Sequence, residues 1–91
     1  MPIRFEWDPK KAASNLARHR VSFEEAATAF GDPDSVTIAD PEHSLREDRF
    51  ILLGMSGPGR LVVTVFTEIG STIRIISARP ATKREARQYT E

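Results

Sequence analysis

Hydrophobic and polar positions change their period three times along this chain. At the start, Ile3 and Phe5 alternate with Arg4 and Glu6, which predicts a short strand ending at Trp7. Asp8-Pro9 then opens a helix, with Asp8 as N-cap and Pro9 at the first helical position, where a missing N–H costs nothing. Ala12, Ala13, Leu16 and Ala17 give this helix a stripe of mostly small apolar residues. A second helix follows at once. Ser22 and Glu25 have capping-box spacing, Val21 can staple onto Ala26, and Phe23, Ala26, Ala27 and Phe30 recur at i, i+3, i+4 and i+7. Gly31 followed by Asp32-Pro33 predicts its end.

From there the period becomes that of strands. SVTIAD alternates, as an exposed or edge strand does. RFILLGM is continuously apolar, which predicts cover on both faces. SGPG turns the chain into RLVVTVFT, and EIGS turns it again into TIRIISAR. ATKREARQYTE closes the chain as a helix, capped by Thr82 with Glu85 three residues on. The predicted order is β-α-α-β-β-β-β-α in one α+β domain spanning residues 1–91. Its sheet is mostly an antiparallel meander, with two or three helices on one face to bury Leu16, Phe23 and Phe30.

Composition narrows the classes. The 91 residues suit a single domain, and the absence of cysteine excludes disulfides and Cys-based zinc sites. With no long apolar run and no signal-peptide pattern, the expectation is a soluble cytoplasmic protein without a membrane role. Net charge is zero, which argues against a globally basic nucleic-acid binder. The charges are nonetheless segregated: both chain ends are rich in Lys and Arg, and residues 24–48 hold eight acids against Arg46. If the two ends meet, a basic patch forms on a neutral protein; ordinary solvated helix faces would explain the same pattern.

The groups able to do chemistry are few. Simple alternation puts Ile73, Ile75, Ser77 and Arg79 on one face of the last strand, with Arg74, Ile76 and Ala78 on the other. Arg79 falls where that strand meets the final helix, and Arg49 and Arg60 fall at the ends of the two middle strands. Such guanidinium groups either snorkel at strand ends or meet phosphate, whose oxygens match their donor fork. Lys10 and Lys11 sit in the first turn of the first helix, the end where a cation meets the unfavourable pole of the dipole. His19 at that helix's end and His43 in the loop DPEHSLRED can each move protons near neutral pH. Asp40, Glu42 and His43 match no specific metal spacing, so neither metal nor cofactor is expected. No P-loop, dinucleotide fingerprint, zinc-protease motif or nucleophile elbow occurs.

FEWDPKKAASNLARHRVSFEEAATAFGDP, DPEHSLREDRFILLG, GRLVVTVFTE and RIISARPATKREARQYTE together resemble the BrnT family, in order and over nearly the whole chain. These are the toxin halves of type II toxin–antitoxin pairs. The resemblance implies a RelE-like fold and an endoribonuclease that slows translation. It also implies a BrnA-like ribbon-helix-helix antitoxin as partner, through which alone the pair would reach promoter DNA. Metal-free RNA cleavage has the 2′-OH attack its own phosphate, with one group taking that proton, another protonating the leaving oxygen, and cations stabilising the phosphorane. On this reading Arg79, Arg49 and Arg60 clamp the phosphate, and His19, His43 or Glu47 moves protons. Lys10 and Lys11 contact RNA, and Trp7 or Tyr89 stacks on a base.

Two positions depart from the family's habit: Arg20 stands where a glycine is common after the first helix, and Ile69 where an arginine is frequent. These keep open a weakened or inactive homologue that serves as an antitoxin-binding co-repressor. A metal-dependent nuclease would instead require carboxylates converging near Asp40 and Asp48.

Overall fold

A computed structural model of the protein describes residues 3–40 and 48–90. Its elements are β1 (Arg4–Glu6), α1 (Pro9–His19), α2 (Phe23–Thr28), a 3-10 turn (Ala29–Gly31), β2 (Val36–Ala39), β3 (Arg49–Met55), β4 (Leu61–Ile69), β5 (Thr72–Pro80) and α3 (Lys83–Thr90). The predicted order holds. The five strands form one sheet in the order β1-β5-β4-β3-β2. From β2 to β5 it is the expected antiparallel meander, but β1 runs parallel to β5, so the sheet is mixed. Helices α1 and α2 carry the chain from the β1 edge of the sheet across to the other, where the meander begins.

Helices α1 and α2 cover one face. Phe23, Ala26 and Ala29 pack with Val21 onto Leu52, Val62, Phe66, Ile73 and Ile75, and an edge-to-face aromatic chain from Phe5 through Phe30 to Phe66 closes this core. Trp7 seals one end, edge-on to Phe23 at 5.9 Å. Helix α3 lies against the opposite face, its Glu85 and Gln88 beside Val36, Ile38, Ile51, Leu53 and Val63. This explains the unbroken apolar run in β3, whose Leu52 and Leu53 are both buried on opposite faces.

Of the apolar stripe expected on α1 only Ala12 packs against the core, while Ala13, Leu16 and Ala17 are exposed. Leu16 is 50% exposed, and the side chain that enters the interior is Asn15, 1% exposed. Its amide nitrogen donates to the carbonyls of Ala78 (2.7 Å) and Val21 (3.0 Å), and its oxygen accepts from the Ala78 N–H (3.1 Å). Strand β1 stops at Glu6, opposite Arg74, so beyond that point the outer edge of β5 has no strand neighbour. Asn15 supplies the missing donor and acceptor there. A leucine could not, because the backbone of Ala78 would lose both partners.

The caps fit their residues with two revisions. Asp8 and Ser22 accept N-cap bonds from Lys10 and Glu25. Gly31 does not adopt the left-handed conformation; α2 tightens instead into the 3-10 turn. Arg20 does adopt it, with φ 58° and its N–H bonded to the Leu16 carbonyl, so the turn survives without the glycine at a cost of about 1 kcal/mol. The regular alternation is broken in β5, where the register against β4 slips at Val65/Phe66: Val65 faces Ser77 and Phe66 faces Ile75, leaving Ile76 as the extra residue of a bulge.

Two substitutions test this account. Asn15→Ala leaves the backbone of Ala78 and the Val21 carbonyl unpartnered and should cost roughly 2–4 kcal/mol in urea unfolding. Thr64, fully buried with its hydroxyl unpartnered among the described residues, should by contrast accept valine with no loss, or a gain of up to about 1 kcal/mol.

Candidate nucleic-acid interface

The bulge decides which charges share a surface. Before it, Ile73 and Ile75 face the core; after it, Ala78 does. The alternation expected from the sequence, with Arg74 and Arg79 on opposite faces, is therefore wrong by one residue. Both lie on the face away from α1 and α2, with Ser77 between them. Pairing extends this into a row across four strands: Arg49 on β3, Thr67 on β4, Arg74 on β5 and Glu6 on β1. Arg74 and Glu6 form an exposed ion pair at 2.6 Å, and the Thr67 hydroxyl is turned to the Asp48 carbonyl. Arg74 and Glu6 were not among the candidate site residues. The register of the β4–β5 hairpin on the turn side of the bulge sets Arg74 beside Thr67 and Arg49, and the parallel pairing of β1 adds Glu6.

Arg79 stands farther along the same face, opposite Val63, on the order of 13 Å from the Arg49 row. Its guanidinium forks onto Glu85 with two bonds of 2.8 Å, while Glu85 also receives the Thr82 N–H. The Arg79 fork, helped by Thr82 and opposed by partial burial, pulls the Glu85 carboxyl down to about 2. At its other end α3 is held by the Tyr89 hydroxyl, 2.6 Å from an Asp32 oxygen that also accepts the Met55 N–H. That bond pushes the Tyr89 phenol up to about 12, and Asp32 is lowered by Tyr89 first and then by backbone N–H groups. Tyr89 is thus engaged in docking α3, and Trp7 in the core.

Arg60 is elsewhere. Its Nε and Nη2 each lie 2.7 Å from a Glu25 oxygen, Nη2 also donates to the Arg20 carbonyl, and the Ser56 hydroxyl completes the cluster. Arg60 lowers the Glu25 pKa, and the group staples the β3–β4 turn to the α1–α2 junction. His19 ends α1 on the helix-covered side. The structure therefore does not gather Arg79, Arg49, Arg60 and His19 into one groove. His43 and Glu47 lie outside the described residues. Lys10 and Lys11 are exposed on α1, and Lys11 lines a groove of about 260 Å³ with Ser14, Asn15, Arg18, Ile76 and Ser77. Among the described residues no group of three or more His, Asp or Glu side chains is arranged to hold a metal ion, and no helix is long and apolar enough to cross a membrane.

A family model described as the ribonuclease toxin BrnT of type II toxin–antitoxin systems matches residues 7–85. The chain belongs to the BrnT toxin family. The crystal structure of the Brucella abortus ribonuclease toxin BrnT superposes with a TM-score of 0.71 at 20% identity, over 90% of this chain and 100% of that one, so the two share a fold. No curated protein matches the chain. Membership in this family makes the protein a type II toxin-family member with an antitoxin as its partner. In this chain Lys11 and Arg18 of α1 share a groove with Ile76 and Ser77 at the open edge of β5, and Ser77 lies on the sheet face that carries Arg74 and Arg79.

The Glu85 carboxyl gives a pH test. Its folded-state pKa is depressed from 4.5, so the Arg79–Glu85 fork stabilises α3 fully above that value and is lost as pH falls toward 2. Thermal melts from pH 5 down to pH 2 should therefore fall more steeply for wild type than for Glu85→Gln, and an equal slope would mean the fork contributes nothing.

Proposed function

We propose that the protein is a working toxin: a metal-independent endoribonuclease that cuts RNA, slows translation, and is neutralised by a BrnA-like antitoxin with a ribbon-helix-helix DNA-binding part. Through that complex alone it would reach promoter DNA. The observation that carries this reading is the row Arg49–Thr67–Arg74–Glu6, which sets two guanidinium groups and a carboxylate across one sheet face of a ribonuclease-family fold.

RNA cleavage by this row follows from its chemistry. Arg74 exchanges its exposed Glu6 partner for the scissile phosphate, since an ion pair in that setting contributes little and a dianionic phosphorane attracts more strongly. Arg49 approaches the same phosphate from the other side. Glu6, released but adjacent, accepts the 2′-OH proton as the 2′-oxygen attacks phosphorus and the P–O5′ bond breaks. His43 and Glu47, a few residues before Arg49 in sequence, are the groups proposed to protonate the departing 5′-oxygen. Arg79 binds the neighbouring phosphate when Glu85 yields it. Arg60 is left out, because its fork is spent on Glu25.

A second reading, a co-repressor without activity, draws on Ile69, 58% exposed at the end of β4 where the family resemblance leads one to expect a basic residue. Purified protein incubated with single-stranded RNA in EDTA separates the two. Cleavage should persist without metal, fall a hundredfold or more in Arg74→Ala and Arg49→Ala, and fall at least tenfold in Glu6→Gln. Induced expression should arrest growth unless the antitoxin is co-expressed. Intact RNA and normal growth from folded wild type would leave the co-repressor reading, and cleavage that requires Mg²⁺ would replace the mechanism.

A further inference from the structure

The groove between α1 and the outer edge of β5 takes no part in the reaction just described. Lys11, Ser14 and Arg18 line one wall at i, i+3 and i+7 of α1; Ile76 and Ser77, the bulge residues of β5, line the other, and Asn15 forms the floor. No acidic side chain lines it. Among the described residues Lys11 and Arg18 have no ion-pair partner, in contrast to Arg60, Arg74 and Arg79, and the hydroxyls of Ser14 and Ser77 make no hydrogen bond. Asn15 has spent both amide protons and its oxygen on backbone, so it holds the walls at a set separation and offers nothing to a ligand.

We infer that this groove is a binding subsite for the phosphates of a nucleic-acid backbone, separate from the arginine row. The inference rests on the reading that the protein engages RNA, and names where the strand travels beyond the cut. Three features select the ligand. Two unpaired cations with two free hydroxyls and no acid suit an anion. Lys11 and Arg18 are two helical turns apart, about 10 Å along the axis, which spans more than one phosphate and favours a polymer over a free ion. No aromatic side chain lines the groove, so there is nothing on which a base stacks, and recognition is of backbone without sequence preference. Ser77 shares its sheet face with Arg74 and lies past the end of β1, so a strand that runs along β5 from Arg74 reaches the groove over the open edge.

The test uses a labelled 2′-O-methyl RNA, which cannot be cut, in anisotropy titrations over a range of salt. Lys11→Ala/Arg18→Ala should weaken binding at least tenfold and lower the salt slope by about two, whereas the equally charge-changing pair Lys83→Ala/Arg84→Ala on α3 should change both little. Melting temperatures and RNA cleavage by wild type are measured in parallel. Equal losses in both pairs, or no loss in the groove pair, overturn the proposal. So does a groove that takes up inorganic phosphate, followed by NMR shifts at Ser77, while oligonucleotide affinity is untouched by the variants. Wild type that binds through the groove yet cuts no RNA leaves the groove standing and sinks the ribonuclease mechanism alone.

Discussion

One buried amide holds this fold in register. Asn15 meets the backbone of Ala78 as a neighbouring strand would, donating to its carbonyl and accepting from its N–H, and ties the same helix to Val21 just before the N-cap of α2. The need arises because β1 is only three residues long and leaves most of β5 without a partner on that side. A bare edge buried under a helix would carry unpaired backbone groups at about 1–3 kcal/mol each. Because the solution is a side chain rather than a strand, a recess lined by side chains is left where further ladder would otherwise run. The groove with Lys11, Arg18 and Ser77 is that recess.

The protein's zero net charge conceals a division of labour among its acids. Glu25, Glu85 and Glu6 each hold one arginine, and Asp32 holds a tyrosine and two backbone N–H groups. These contacts differ in kind. The Arg60 cluster binds a turn to a helix junction, and the Arg79 fork fastens one end of α3 while Tyr89 fastens the other. The Arg74–Glu6 pair is open to solvent on a flat sheet face. Neutralisation is therefore local, and the cations that remain outside it on α1 create positive potential next to a sheet face that carries exchangeable arginines.

Helix α3 buries none of its own residues, yet it covers the side of the sheet opposite the main core. Its attachment is mostly polar and at its two ends. Beside it, Val36 and Ile38 on the edge strand β2 stay largely exposed, with an apolar hollow of about 120 Å³ between them and the helix. The molecule thus has one dense face, built from aromatic and β-branched packing under α1 and α2, and one lightly covered face that carries the arginine row.

The element order, the caps at Asp8, Ser22 and Thr82, the aromatic core of α2 and the edge character of β2 were all legible in the sequence. Each depends on residues within one or two turns or on a simple period. The family was legible too, because its signature is spread over most of the chain. What lay out of reach were the arrangements made by distant residues. Leu16 reads as core and Asn15 as surface until β5 presents an unpaired edge beneath α1. Arg60 and Arg79 read as free phosphate ligands until Glu25 and Glu85, from other elements, arrive to bind them. A single bulge at Ile76 reverses the facing of everything after it, so Arg74 and Arg79 share a surface that alternation divides. Local periodicity and capping are properties of the chain itself. Which polar group meets which backbone edge is decided only when strands far apart in sequence choose their register, and the candidate site is made of such choices.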